Sequence, residues 1–138
     1  MRKDSMTTED AVRQLFAETD RCAREKDLEA FMRLGLGDAV LLMPDAPPIA
    51  GAEGTRAFYS GFYAAFDIDM THHLADAQEA GDVVVAWGNA TGSMRPVAGG
   101  GAMNFDNKFL FVLKRDGGGA LKVWRVAFNA NAAPASGQ

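Results

Sequence analysis

The stretch from Asp38 to Gly51 reads DAVLLMPDAPPIAG, and the fold assignment starts from it. Ala39–Met43 is a short apolar run, which is typical of a buried strand. Pro44 ends that strand, because proline has no backbone N–H to donate to a neighbouring strand. Asp45–Pro48 then forms a rigid loop. The stretch therefore predicts a short strand that leads through a stiff connection into the next element.

An aromatic repeat follows this loop. Thr55–Phe66 reads TRAFYSGFYAAF. Phe58, Phe62 and Phe66 stand four residues apart, so on a helix they would share one face. The segment predicts a helix whose aromatic face needs a surface to pack against.

Two further helices are predicted upstream of the strand. Thr7–Asp10 is typical of a helix start, because threonine can accept a hydrogen bond from a free amide and acids suit the positive end of the helix dipole. A second, shorter helix is predicted over Leu28–Leu34, and Gly35 and Gly37 are expected to end it. The first helix continues to about Lys26. Its apolar positions are Val12, Leu15, Phe16, Thr19, Cys22 and Ala23.

After the third helix the apolar residues alternate instead of following helical spacing. The alternation predicts strands over Met70–Gln78, Val83–Met94, Met103–Arg115 and Leu121–Asn131. Asp116–Gly119 reads as a hairpin connection. Helices that are separated in sequence from a run of strands indicate an α+β domain, with the helices on one face of an antiparallel sheet.

Length and composition exclude several classes of protein. The 138 residues suit one domain over 1–138, with an ordered core of about 7–131 and flexible ends. The formal charge is −4 and there is no basic stripe, so we expect no nucleic-acid partner. No apolar run approaches the ~20 residues that span a membrane, so we expect no membrane partner. Cys22 is the only cysteine, which excludes an intrachain disulfide and indicates a cytoplasmic protein.

The order of these segments, closing with KVWRVAFNAN over Lys122–Asn131, resembles the NTF2-like superfamily. Within it, the chain resembles the SnoaL-like and ketosteroid-isomerase-related small proteins of the DUF4440-type branch. The resemblance implies a strongly bent antiparallel or mixed sheet that wraps around three N-terminal helices as a cone. It also implies an apolar pocket at the open end of the cone and a homodimer formed through the outer sheet face.

The catalytic positions of the steroid isomerases are changed in this sequence. Their proton-shuttling aspartate directly precedes a proline, and the matching residue here is Met43, whose thioether cannot take a proton at neutral pH. Their oxyanion hole pairs a tyrosine with a protonated aspartic acid. The matching residues are Thr19 and Asn107, which can donate hydrogen bonds but are not strong acids. These departures argue against steroid-isomerase activity.

Asp45 and the two histidines are the remaining candidates for acid/base chemistry. Asp45, beside the prolines at the pocket mouth, is a candidate general base, although a loop aspartate often only bonds nearby amides. His72 and His73 are adjacent on a strand, so they point to opposite faces and cannot chelate one metal. One of them could act near neutral pH inside the pocket. The simpler interpretation is one half-buried histidine and one that faces solvent or a dimer partner.

The large side chains phased toward the interior are expected to form the core and, near the open end, the pocket. In the last strand, Trp124 is expected to face inward, under the first helix. Arg125, Asn129 and Asn131 are expected to face outward, toward a dimer partner. Phe105 and Phe111 are counted with the inward-facing aromatic residues. The predicted pocket residues are Phe16, Thr19, Met43, Phe58, Phe62, Asn107, Phe109 and Trp124.

Two functions from different classes follow from these observations. The first is a protein that binds a small apolar or cyclic molecule. If it is an enzyme, the expected chemistry is cofactor-free isomerisation, cyclisation or hydration, with Asp45 as the base and Thr19 or Asn107 as hydrogen-bond donors. The second is a non-catalytic dimeric module for ligand sensing or protein association. No metal is expected, because no metal-ligand spacing of histidines exists. The glycine-rich Val97–Gly101 lacks the features of a phosphate loop.

Overall fold

The structure, a computed structural model, describes residues 6–131. Its helices are α1 (Thr8–Glu25), α2 (Leu28–Met32) and α3 (Gly51–Ala65). Its strands are β1 (Gly35–Leu42), β2 (Ile49–Ala50), β3 (Phe66–Ala80), β4 (Val83–Pro96), β5 (Met103–Arg115) and β6 (Leu121–Ala130). The ends that the sequence predicts to be flexible are residues 1–6 and 132–138, and all of them except Met6 lie outside the described residues.

All six strands form one curled sheet in the order β2-β1-β6-β5-β4-β3. β1 runs parallel to β6, and every other neighbouring pair is antiparallel. The sheet is therefore mixed, and the predicted α+β fold with a bent sheet around N-terminal helices is confirmed.

None of the described helices is long and apolar enough to cross a membrane.

The first helix begins as the sequence predicts and lies against the edge of the sheet. The side chain of Thr7 accepts a hydrogen bond from the backbone N–H of Asp10 at 3.0 Å. Val12 and Phe16 on its inner face are almost completely buried. Because these residues pack against β3 and β5, α1 closes one side of the interior.

Two predicted boundaries are wrong. The sequence predicts that Gly35 and Gly37 end α2, but both are residues of β1. This strand begins four residues before its predicted start at Ala39. Gly35 pairs with Val123 of β6, and this pairing extends the strand back to the end of α2. Phe66 is not helical but is the first residue of β3, where it pairs with Pro96. In both places hydrogen bonds to a distant strand override the local pattern.

Trp124 does not face the interior, so the prediction that it packs under the first helix and lines the pocket is wrong. Against β5, Arg125 pairs with Val112 and Val123 pairs with Leu113, which leaves Trp124 as the extra residue of a bulge. A bulge reverses the alternation of inward and outward side chains. The Trp124 indole N–H donates to Asp38 Oδ2 at 3.4 Å on the outer face.

A second irregularity shapes the sheet beside α1. The register of β3 against β4 shifts between Leu74 and Asp76. Gly88 lies opposite this bulge, and a Cβ atom there would overlap the carbonyl oxygen of His73. The strands approach so closely at this point that only glycine fits. The bulge and the glycine therefore position the neighbouring part of β3, which carries His72.

Candidate functional site

A cavity of about 490 Å³ lies between α3 and the inner face of the sheet. Residues from all three helices and from five of the six strands line it, and its size suits a small-molecule site. No Asp, Glu, Lys or Arg is among the described residues that line it. Its aromatic residues are Phe31, Phe58, Tyr59, Phe62, Tyr63, Phe105, Phe109, Phe111 and Phe128. Such a lining favours an uncharged, apolar occupant.

Two of the polar side chains in the lining already donate their hydroxyl protons to backbone carbonyl oxygens. Thr19 Oγ1 donates to the carbonyl oxygen of Leu15 at 2.9 Å. Thr55 Oγ1 donates to the carbonyl oxygen of Gly51 at 2.8 Å. The oxygens of these hydroxyls can still accept a hydrogen bond, but neither hydroxyl can donate to a ligand without giving up its present bond.

His72 lines the cavity and forms a hydrogen-bonded pair with Asp20, which is not among the lining residues. His72 Nδ1 lies 2.6 Å from Asp20 Oδ1, and the backbone N–H of His72 donates to Asp20 Oδ2 at 2.9 Å. The side chains are only 9% and 8% exposed. Because a carboxylate oxygen accepts the bond, we assign a proton to Nδ1, and in the neutral form of the ring the lone pair then lies on Nε2.

Packing fixes the orientation of the His72 ring. The ring centroids of Phe16, Phe109 and Phe111 lie 5.4, 5.2 and 5.8 Å from that of His72. Among the described residues, none forms a hydrogen bond with Nε2. Every fully buried side-chain nitrogen or oxygen of these residues has a partner, so Nε2, which has none, must keep some accessible surface. His72 is among the residues that line the cavity, and it also borders a second pocket beside Arg13 and Asp20.

The sequence explains why Asp20 occupies the inner face of α1. Val12, Phe16 and Asp20 are spaced four apart, so the carboxylate shares a face with two buried apolar residues. β3 is the edge of the sheet, and its outward backbone N–H at His72 has no strand partner. Asp20 satisfies that N–H as well as the ring. An acid on the apolar face of a predicted helix is the signal in the sequence for this residue, which is not among the predicted site residues.

Asn107 lies in the same row of the sheet as His72. His72 pairs with Ala90, and Ala90 pairs with Asn107. Two strand spacings place the two backbones roughly 10 Å apart. The small Ala90 between them leaves open space, and all three residues line the cavity. The Asn107 side chain has no hydrogen-bond partner within residues 6–131, so its amide can donate to a ligand.

Some of the other predicted site residues line the cavity, and others lie outside it. Thr19, Met43, Phe58, Phe62 and Phe109 line the cavity together with Asn107. Phe16 is 2% exposed and belongs to the core behind the cavity wall. Trp124 stands on the outer face.

Asp45 is exposed and adopts a φ of 57° in the loop after β1. Its neighbours Pro44 and Ala46 border the cavity, whereas Asp45 does not. His73 is exposed on the opposite face of β3 from His72, as the strand alternation predicts. Its Nε2 lies 3.1 Å from Thr91 Oγ1.

Tyr59 and Tyr63 of α3 also border the cavity, and the sequence analysis did not single them out. Burial raises the pKa of both phenols, so both hydroxyls stay protonated and can donate hydrogen bonds. Within the described residues, no group of three His, Cys, Asp or Glu side chains converges as a metal site would require.

Comparison with solved structures gives the same fold. A ketosteroid isomerase-like protein from Erwinia carotovora atroseptica is 19% identical, with a TM-score of 0.79 over 93% of this chain and all of the other. An NTF2-like protein with a cystatin-like fold from Novosphingobium aromaticivorans is 17% identical, with a TM-score of 0.68 over 92% of this chain and 84% of the other. A protein from Catenulispora acidiphila, solved in complex with S-DNPA, is 19% identical, with a TM-score of 0.69 over 86% of this chain and 90% of the other.

Family comparison is more specific than these structural matches. A search of the curated proteins found no match. The model of the SnoaL-like domain matches residues 9–125, which is most of the chain. The narrower assignment to the DUF4440-type branch stays a prediction. The resemblance to SnoaL-like proteins is confirmed, and the chain belongs to the SnoaL-like domain family.

Proposed function

We propose that this protein binds a small, uncharged, apolar or cyclic molecule in its cavity and moves a proton on it without a cofactor. The observation that carries the proposal is the hydrogen bond between Asp20 and His72, because His72 lines a cavity in which no described lining residue is Asp, Glu, Lys or Arg. The reaction class is isomerisation or cyclisation, in which a proton is taken from one position of the ligand and returned to another.

His72 is the base in this mechanism, and Asp20 is a positioning residue. Nε2 takes a proton from an acidic C–H of the ligand, which leaves an imidazolium with both ring nitrogens protonated. Asp20 holds Nδ1–H at 2.6 Å and so stabilises the positive charge that forms. The same Nε2 then returns the proton to the ligand, and the ring regains its first state.

Asn107 is the best-placed donor for the negative charge that develops on the ligand. A C–H becomes acidic when it lies beside a carbonyl, and its loss places charge on the carbonyl oxygen. The Asn107 amide, in the same row as His72 and across Ala90, supports a donor role toward that oxygen. Thr19 is a weaker candidate, because its hydroxyl proton is already given to Leu15.

A proton-exchange assay tests this proposal without the natural substrate. β-Tetralone is a flat, neutral bicyclic ketone with acidic protons beside its carbonyl. In D₂O, NMR follows the replacement of those protons by deuterium, and we expect the protein to accelerate it. Since a positioned general base contributes about 10²–10⁴-fold, His72→Gln should lose most of this acceleration.

Asp45→Asn is the matched control, because Asp45 is the base that the sequence predicted. We expect this variant to exchange β-tetralone at the wild-type rate. Loss of exchange in Asp45→Asn, with full activity in His72→Gln, would return the role of base to Asp45. No acceleration by the wild-type protein, when β-tetralone is shown to bind, would favour the second candidate function, a ligand-sensing or association module without catalysis. Met43 in place of a carboxylate before Pro44 favours that candidate.

We also propose a homodimer through the outer sheet face. Trp87 pairs with Leu110, Leu110 with Ala127, and Ala127 with Leu42, so an apolar row crosses four strands. Trp87 is 53% exposed and Leu110 46%. A continuous apolar row of this kind is typical of an interaction surface. A second copy of the chain offers the same row, and Arg125 lies beside it.

Sedimentation velocity tests the dimer. We expect a dimer for the wild-type chain and a monomer for Leu110→Arg, with circular dichroism to verify the fold. Glu53→Arg, an exposed change on α3, is the control and should stay dimeric. A monomeric wild-type protein would contradict the proposal.

We further propose a cytoplasmic location, which the single, buried and free Cys22 supports.

A further inference from the structure

The tyrosine hydroxyls of α3 are polar groups without a hydrogen-bond partner among residues 6–131. Tyr59 and Tyr63 are four residues apart and both border the cavity. No hydrogen bond joins either hydroxyl to another described residue, and neither hydroxyl is sealed off. Tyr63 as a whole is only 5% exposed. Because each hydroxyl is unpartnered among the described residues and belongs to a residue that lines the cavity, it is available to donate a hydrogen bond to a polar group on whatever fills the cavity.

Tyr59 is held more firmly than its neighbour. Its ring centroid lies 4.3 Å from that of Phe31 and 5.1 Å from that of Phe58. Phe62 and Tyr63 follow at 6.1 and 5.8 Å. Four surrounding rings leave the hydroxyl little freedom, which is what a fixed recognition point requires.

The histidine and the tyrosines occupy different ends of the cavity. His72 contacts the rings of α1 and β5, whereas Tyr59 contacts only rings of α2 and α3. No aromatic contact among the described residues joins these two sets. Met70 packs against both core clusters and lies between them. The cavity therefore has a histidine end, a tyrosine end and an apolar middle.

We infer that the ligand is a flat, uncharged ring system with an oxygen function at each end, one that meets His72 and Asn107 and one that accepts a hydrogen bond from Tyr59. This inference rests on the proposed function, because it describes the ligand of the same cavity. It adds Tyr59 as a specificity-determining residue that takes no part in the proton transfer. The absence of charged lining side chains, within the part of the chain described, argues against a carboxylate or phosphate at either end.

A probe series tests the inference by calorimetry. The probes are β-naphthol and hydroxybiphenyl, with one hydroxyl each, and the matching diols with hydroxyls at opposite ends, a dihydroxynaphthalene and the longer dihydroxybiphenyl. One neutral hydrogen bond contributes about 1 kcal/mol, which corresponds to about fivefold in affinity. We expect at least one diol to bind the wild-type protein about fivefold more tightly than its own mono-hydroxyl analogue.

The variant Tyr59→Phe tests whether the Tyr59 hydroxyl donates the hydrogen bond to the second hydroxyl of the diol. We expect it to remove the fivefold difference between the diol and its mono-hydroxyl analogue, whereas Tyr63→Phe should keep that difference. Retention of the gain in Tyr59→Phe, or its loss only in Tyr63→Phe, would overturn the assignment. Binding of β-naphthol with no gain for either diol would overturn the inference and leave the proposed function standing. Failure of every probe, β-tetralone included, to bind the wild-type protein would overturn both.

Discussion

The Asp20→Ala variant tests how much the buried pair stabilises the fold. Asp20 accepts one hydrogen bond from the His72 ring at 2.6 Å and one from the His72 backbone at 2.9 Å. Hydrogen bonds to a charged group contribute about 1.5–3 kcal/mol each, and relaxation of the site recovers part of the sum. We therefore expect a loss of about 3 kcal/mol, a large share of a typical stability of 5–15 kcal/mol.

Urea unfolding, followed by tryptophan fluorescence and circular dichroism, measures this loss. With a slope of about 2 kcal/mol per molar urea, the midpoint should fall by about 1.5 M. Asp20→Asn keeps an oxygen for the backbone N–H but removes the charge, so about half of the loss should remain. Asp45→Ala, at an exposed acid, is the control and should change stability by no more than about 0.5 kcal/mol. A loss below about 1 kcal/mol in Asp20→Ala would refute the buried geometry of the pair.

Three further variants or reactions test other parts of the structure. A backbone N–H of α2 and the Arg21 guanidinium hold the pKa of Asp27 below its usual range, so its stabilisation is present above about pH 4 and is lost as the pH falls through the lowered value. The stability difference between pH 7 and pH 3, from urea unfolding, should therefore be smaller in Asp27→Asn, and an unchanged difference would contradict this reading. Gly88→Ala should unfold at distinctly lower urea, because its Cβ overlaps the His73 carbonyl oxygen, and a wild-type midpoint would argue against the close strand approach. Burial raises the pKa of the Cys22 thiol, so a thiol reagent at neutral pH should label it slowly in the folded protein and quickly in urea; fast labelling without urea would contradict its burial.

The elements of the fold followed from local patterns where those patterns are strong. Thr7 begins α1, and the aromatic repeat of Phe58 and Phe62 lies on α3, as the sequence indicates. The errors fell where distant strands decide the local structure. Gly35 belongs to β1 because it pairs with Val123 of β6. The sequence around Gly35 contains no signal that predicts this pairing. Trp124 faces outward because a bulge, which alternation alone cannot predict, reverses the pattern of β6.

The candidate site was less accessible to sequence reasoning. Phe109 was found by strand alternation, since every second residue of β5 faces the interior. Asn107 was found because it matches an oxyanion-hole position of the steroid isomerases. Asp20 and His72 are 52 positions apart in the chain, and neither alone is a strong signal. Their meeting depends on the packing of α1 against the edge strand β3. The pair became visible only when the three-dimensional arrangement placed the carboxylate beside the ring.

The tautomer of His72 is the most direct test of the central claim, that Asp20 holds the ring so that a free Nε2 faces the cavity. Nitrogen-15 correlation spectra distinguish a protonated ring nitrogen from an unprotonated one. We expect Nδ1 to carry the proton, and we expect addition of β-naphthol to shift the Nε2 signal most strongly. A proton on Nε2, or an Nε2 signal that does not respond when β-naphthol is bound, would contradict the account.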